Sequence, residues 1–325
     1  MAKVLVTGAT GYVGRELVRQ LVERKDQVWA LGRHKADLGI PFIEADLTDG
    51  NGLAKSLNGL SFDWIHHIAS LPGDTGNPVQ MIQSNVVGLQ NILEIARNNP
   101  VKRFVLASSI SAYEWYPATK FNPPDTMPVP EDHPCRPKDM YSSSKRIQEI
   151  LAMTYYYQYR VPVTVLRLTA VVGPRGRGGG RGWREFAEQL AQGHRVAIPH
   201  FSADELCHYV DIRDVARMHI AASENDGAIG EIFNCCGPGP TRGNEFAKAV
   251  EAVRPGIIVE YGFPWSMAQG GEIAFDMSKA KRLIGFVPQY SLAESVKSII
   301  EWIDNGGLME ETLGGKESFG KGVEG

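Results

Sequence analysis

Through the first half of the chain, short apolar runs rich in β-branched residues alternate with longer stretches in which apolar positions recur every three or four residues. The runs KVLVTG (Lys3 to Gly8), QVWALG (Gln27 to Gly32), PFIEAD (Pro41 to Asp46), FDWIHHIA (Phe62 to Ala69), RFVLASS (Arg103 to Ser109) and VPVTVLRLT (Val161 to Thr169) predict strands. Between them, GRELVRQLVERK, NVVGLQNILEIARNN and SSKRIQEILAMTYYYQY carry the helical spacing. Strands separated by helices of this length need crossover connections, so the pattern predicts an α/β fold with a doubly wound parallel sheet.

At Val172 the texture changes. GPRGRGGGRG reads as a loop, and the strands and helices beyond it are interrupted by Gly and Pro, which predicts a smaller lobe closing over the sheet. DIRDVARMHIAA and EIFNCCG return to the texture of the first half. We therefore assign 1–172 to the sheet domain, with 209–238 returning to it, and 173–208 plus 239–305 to a C-terminal substrate-binding lobe. Beyond Asn305 the apolar periodicity stops, so 306–325 is expected to be a loose tail.

With 325 residues, 43% of them hydrophobic, the chain can bury a large core. A formal charge of −3 supplies no general basic field, so no nucleic-acid partner is expected. Cys135, Cys207, Cys235 and Cys236 have neither the CxxC spacing of a zinc site nor the density of a disulfide scaffold, so reduced thiols and no metal are expected. The first apolar strand runs straight into a glycine turn, and no window approaches the roughly 20 apolar residues of a bilayer span. A soluble cytoplasmic protein without a membrane partner is the expectation.

TGATGYVG places Gly8, Gly11 and Gly14 between a strand and an amphipathic helix. Gly8 permits a tight turn, Gly11 lets backbone approach a pyrophosphate, and Gly14 lets the helix pack close to the strand. The free N–H groups of the helix start, at Tyr12 and Val13, then face the phosphates. This is the phosphate turn of a Rossmann-type dinucleotide site. The second strand ends in Gly32 and Arg33 where NAD sites present an acid to the ribose, and Arg33 lies nineteen residues after Gly14. A guanidinium holds a 2′-phosphate through paired charged hydrogen bonds, so NADP(H) is expected over NAD(H). Asp46, in EADLTD, is placed to meet the adenine amino group.

Two Tyr/Lys pairs share a four-residue spacing. Tyr116 and Lys120 stand in YPATK, followed by NPPDTMPVP, which cannot continue a helix. Tyr141 and Lys145 stand in YSSSK, at the start of a segment free of Gly and Pro until Pro162, so they share one helix face. A phenol ordinarily titrates near 10, and a neighbouring ammonium stabilises its anion, which fits Tyr141 for proton transfer with Lys145 beside it. ASSIS offers the hydroxyls of Ser108, Ser109 and Ser111 at the carboxyl edge of the sheet, where ligands of open α/β folds bind.

TGATGYVG, an Asp-Leu after the third strand, IHHIAS, ASSIS and YSSSK, in that order, resemble the extended short-chain dehydrogenase/reductase family, the NAD(P)-dependent epimerase/dehydratase group. LRLTAVVGPRG, HYVDIRDVARMH, GEIFNCCG and FDMSKAKRLIGFVPQYSLAESVKSIIEWI carry the resemblance to about Asn305. It implies a catalytic set of Ser109, Tyr141 and Lys145, with Ser111 as a substrate contact and Leu47, Ala69 and Ser108 beside the cofactor. It further implies that Asn85 braces the site, that His67 is structural, and that the helices near Asn85 and Tyr141 pair two copies as a homodimer.

The resemblance breaks where nucleotide-sugar enzymes of the group hold a diphosphate. Ala170 stands at the asparagine position, Cys207 or His208 at one arginine position, and SMAQGGE supplies no other arginine. Against this, RGRGGGRGWR sets Arg175, Arg177, Arg181 and Arg184 beside the cleft, and Arg175 and Arg181 are taken as substrate-binding. The leading expectation is an NAD(P)-dependent oxidoreductase acting on a carbonyl or secondary alcohol of a small sugar-like substrate, with Tyr141 as acid/base. The alternatives are a nucleotide-sugar 4-epimerase or dehydratase with tightly held NAD, and a non-catalytic dinucleotide sensor.

Overall fold

The computed structural model describes residues 1–72, 77–113, 127–175, 181–200, 202–262 and 274–308. The first half runs β1 (Lys3–Thr7), α1 (Tyr12–Glu23), β2 (Gln27–Gly32), β3 (Phe42–Glu44), α2 (Gly50–Ser56), β4 (Trp64–His67), α3 (Pro78–Ile82), a π turn (Gln83–Val87), α4 (Gly88–Asn98), β5 (Arg103–Ser109), α5 (Met140–Tyr159) and β6 (Val163–Leu168). The second half continues β7 (Ala170–Val172), α6 (Arg181–Gln192), β8 (Arg195–Ile198), β9 (Leu206–Cys207), β10 (Tyr209–Asp211), α7 (Ile212–Glu224), β11 (Ile232–Cys235), β12 (Thr241–Arg242), α8 (Gly243–Val253), β13 (Ile258–Tyr261), α9 (Ser278–Ile284) and α10 (Leu292–Asp304).

Seven parallel strands form the main sheet in the order β11-β6-β5-β4-β1-β2-β3. Both faces are covered, which is why its strands read as unbroken apolar runs. Alternation along β1 sends Val4 and Val6 to one core with Leu17 and Leu21 of α1 and Ile220 of α7, and Leu5 to the other with Leu53, Leu89 and Ile92. Each such fully buried aliphatic side chain contributes about 1.5–3 kcal/mol.

The sixth strand is shorter than the apolar run predicted. At Thr169 the chain leaves the sheet, with the Thr169 N–H donating to Cys235 O, and β7 pairs instead with β10. Beyond this break lies the smaller lobe. Its core packs Trp183 and Phe186 of α6, Phe246 of α8 and Ile299 of α10 against the β8–β13 pair, with the Trp183 and Phe246 rings stacked at 6.2 Å. Among the described residues no helix is long and apolar enough to cross a membrane. Of the expected tail, 309–325 lies outside the described residues, as does the pair Tyr116 and Lys120.

Candidate active site

The chain builds the sheet outward from β1 through β2 to β3, then returns to build β4, β5 and β6 on the other side. The two windings part between β1 and β4, and their carboxyl ends open a crevice there. Gly8 lies in that crevice at φ +71, and a Cβ on it would stand 2.7 Å from Ala69 N, so the loops after β1 and β4 touch backbone to backbone. A Cβ at Gly14 would meet Gly8 O at 2.1 Å. At Gly8 and Gly14 the turn therefore has no room for a side chain. Helix α1 starts from Gly11 with no side-chain cap and no acidic residue in its first turn, which leaves its N-terminal N–H groups, Tyr12 and Val13 among them, for an anion. The Tyr12 phenol, held far above its ordinary range by burial and then by Asp211, donates to Gly173 O at 2.9 Å and ties this turn to the segment after β7. These features fit a dinucleotide pyrophosphate.

At the far end of the crevice, Arg33, His34, Glu44, Ala45 and Asp46 line an open recess of about 510 Å³. Asp46 Oδ1 accepts the N–H and the hydroxyl of Thr48, both at 2.8 Å, and Leu47 O accepts Asn91 Nδ2 at 2.7 Å.

Asp139 caps α5 by accepting Ser142 N at 2.8 Å, which starts the helix at Met140 and places Tyr141 and Lys145 one turn apart. Lys145 is buried, its Nζ donating to Ala107 O at 3.0 Å and lying 5.9 Å from the Tyr141 ring centroid. Burial pulls this ammonium down to about 8, against the opposing charge of Glu149. Ala107 stands two residues before Ser109 on β5, so the strand that presents the serine also receives the lysine. Ser109 Oγ accepts Ser111 N at 3.2 Å, while Ser111 Oγ is buried without a partner. The hydroxyl of Ser108 donates to Glu149 at 2.7 Å, so it supports the strand from beneath.

The π turn is invisible in the apolar spacing, yet it organises the site. Within it Asn85 O accepts Gln148 Nε2 of α5 at 2.6 Å. The Asn85 side chain accepts Leu71 N at 2.7 Å and donates to Ser144 Oγ at 3.0 Å, joining the loop after β4 to the Tyr141 helix. His67 Nδ1 lies 3.0 Å from Thr7 Oγ1, and burial, then the charge of Lys145, lowers this imidazole to about 3.

Sequence reasoning missed a buried ion pair beside these groups. Arg167 donates from Nε and Nη2 to the two oxygens of Glu149, both at 2.8 Å. The signals were an arginine inside the apolar run VLRLT and an acid one turn beyond Lys145.

In the smaller lobe, Ala170 and Cys207 are buried, and burial raises the Cys207 thiol to about 12. His208 Nδ1 accepts Phe275 N and its Nε2 donates to Gly237 O, both at 3.1 Å, and burial lowers it to about 4. These positions are neutral and occupied. Arg175 is exposed with φ +64, and Arg184 Nε donates to Glu188 at 2.9 Å. Arg177 and SMAQGGE lie outside the described residues, as does the side chain of Arg181, whose backbone opens α6.

The model of the NAD dependent epimerase/dehydratase family matches residues 4–236. A UDP-glucuronate 4-epimerase of Thermodesulfobacterium geofontis is 26% identical, over 93% of this chain and 96% of that protein. Among solved structures, MoeE5 in complex with UDP-glucose and NAD is 25% identical with a TM-score of 0.77, covering 94% of this chain and 99% of that one. The Bacillus cereus UDP-glucuronic acid 4-epimerase, in complex with UDP-glucuronic acid and NAD, shares the fold at 22% identity and a TM-score of 0.76, covering 93% and 99%. The expected preference for NADP(H) is thereby overturned: the family is NAD dependent, and both complexes carry NAD. Arg33 misled because it was weighed alone. In the folded chain Glu44 and Asp46 line the same recess, and two carboxylates beside one guanidinium oppose a further phosphate.

Proposed function

Because the chain belongs to the NAD dependent epimerase/dehydratase family, we propose that it is an NAD enzyme that inverts a secondary alcohol of a nucleotide sugar, the alternative first set beside net oxidation or reduction. The observation that supports this is buried Lys145, which lies 5.9 Å from the Tyr141 ring centroid and donates to Ala107 O on the strand that ends in Ser109. The backbone around Gly8, Gly11, Tyr12, Val13 and Gly14 would hold the pyrophosphate, Ala69 would flank it, and Asp46 and Leu47 would border the adenosine end. Arg33 would lie beside the ribose. NAD, when bound, supplies a hydride acceptor and donor. Tyr141 takes the proton from the substrate hydroxyl and returns it, Ser109 hydrogen-bonds the same oxygen, and Ser111 offers a second hydroxyl. Lys145 places a cation beside the phenol, and general acid–base transfer of this kind contributes about 10²–10⁴-fold.

Incubation with UDP-glucuronate or UDP-glucose should yield the 4-epimer without net change in nicotinamide absorbance. Tyr141→Phe should abolish it. Reduced cofactor accumulating in step with oxidised sugar would overturn epimerisation. That outcome is the second reading, a net oxidoreductase on a small hydroxylated substrate, and one observation favours it: the neutral, buried Ala170, Cys207 and His208 leave the lobe without cations at those positions for a diphosphate. Arg175 and Arg181 are the cations proposed to compensate.

A homodimer through α4 and α5 is part of the proposal. Ile147, Ile150 and Tyr157 of α5 are 40%, 53% and 64% exposed. At helical spacing they form an apolar stripe suited to a second copy.

A further inference from the structure

Glu149 and Arg167 form a buried polar junction at the meeting point of three elements that carry or flank the site. Glu149 lies on α5 one turn beyond Lys145, Arg167 on β6, and Ser108 on β5 immediately before Ser109. The carboxylate is fully buried and accepts four hydrogen bonds: from Ser108 Oγ at 2.7 Å, from Arg167 Nε and Nη2 at 2.8 Å each, and from Arg146 Nη1 at 2.9 Å. Arg167 is only 1% exposed, donates to Glu131 O at 2.9 Å and stacks its guanidinium 4.4 Å from the Tyr113 ring centroid. Burial opposes its charge, but the bonds to Glu149 hold it above its ordinary range.

A pair of apolar side chains of the same volume would hold these elements together as well, because desolvation of two ions offsets most of their attraction. Stability is therefore a weak account of the junction, and its position suggests another. We propose that Glu149, oriented by Arg167, is a positioning residue that sets the Lys145 ammonium beside Tyr141 and supports its charge. This rests on the acid–base reading above.

The groups around Lys145 allow that role. His67, from β4, is neutral, because burial and Lys145 itself depress it. On the segments that pack near Arg167, the Tyr113 phenol and the Cys135 thiol are raised by burial and stay protonated. Arg146 of α5 and Arg167 of β6 are cations, already paired with Glu149. Glu94 of α4 is engaged by Arg97 of the same helix and by Tyr155 of α5. Lys145 and Glu149, one turn apart on α5, bond to adjacent residues of β5, at Ala107 O and Ser108 Oγ, and from that place the Glu149 charge opposes the loss of the Lys145 proton on burial.

The test is the titration of Lys145 followed by NMR on protein labelled at the lysine ε-carbons, with Lys145→Arg to assign the signal. Glu149→Gln removes the charge. Glu149→Gln combined with Arg167→Met removes it without stranding a buried cation, in case the single variant fails to fold. In folded Glu149→Gln the Lys145 midpoint should fall by ~1 pH unit or more, since a buried charge one turn away is lost, and in the double variant, which loses the Arg167 cation as well, it should fall in the same direction by less. The alkaline limb of UDP-glucuronate turnover should move the same way, with KM changed less than about twofold, because Glu149 touches no substrate. An unmoved midpoint and limb in a folded variant would overturn the proposal, and loss of turnover in Tyr141→Phe would then leave the acid–base reading standing. If wild type does not turn over UDP-glucuronate but the midpoint moves, the substrate assignment fails and the role of Glu149 toward Lys145 holds.

Discussion

Replacing Gly14 by alanine sets two effects of opposite sign against each other. Alanine is favoured over glycine inside a helix by up to about 1 kcal/mol, so propensity alone predicts a more stable protein. The structure predicts the reverse. The new methyl would lie 2.1 Å from Gly8 O and 2.8 Å from Ala9 Cα, and both neighbours are backbone atoms that cannot rotate away. To approach an ordinary contact of about 3.5 Å, the start of α1 must move more than ~1 Å from the turn. Leu17, Val18 and Leu21 anchor the same helix in the core and resist that motion. Overpacking of this kind costs about 1–3 kcal/mol, and against backbone the upper half of that range applies. We expect a net loss of about 1–2 kcal/mol in urea unfolding, and NAD affinity lowered at least ~10-fold in calorimetric titration, because the displaced N–H groups are those proposed to hold the pyrophosphate. Gly239→Ala, where an added methyl meets nothing within 4 Å, is the control. A Gly14→Ala protein as stable as wild type, with unchanged NAD affinity, would refute this account of the turn.

Three further outcomes are expected. Asn85→Ala should cost about 1–3 kcal/mol by leaving Leu71 N without its acceptor, and should reduce turnover more than NAD affinity; equal kinetics in a folded variant would show that the brace is dispensable. Burial holds the imidazoles of His66, His67, His208 and His219 below the ordinary value of 6.5, while the unfolded chain protonates them near it. Stability from these groups is therefore full above pH 6.5 and lost as pH falls below it, by about 1.4 kcal/mol per pH unit for each. Urea midpoints between pH 7.5 and 5 measure this, and His219→Leu should flatten the slope. The wild-type chain should sediment as the proposed dimer and Ile150→Glu as a monomer; a variant that still sediments as a dimer would place the interface elsewhere.

Much of the architecture was legible because it depends on local pattern. Apolar periodicity marks strands and helices from near neighbours alone, and the glycine turn announces itself because backbone crowding leaves no alternative residue at Gly8 or Gly14. Tyr141 and Lys145 were readable for the same reason: a one-turn spacing on one helix is a property of adjacent sequence. Recesses and junctions are not. Arg33 looked like a phosphate ligand until the fold brought Glu44 and Asp46 to the same recess from another strand. His208 gave no sign that both its nitrogens would be taken by the backbone of distant segments. Glu149 and Arg167 meet only because α5 packs over β6, and the Asn85 carbonyl in the π turn finds its donor only because Gln148 arrives from that helix. Charge and hydrogen bonding act through space, so the sign of a site, and the groups that hold its lysine, were decided when the strands took their places.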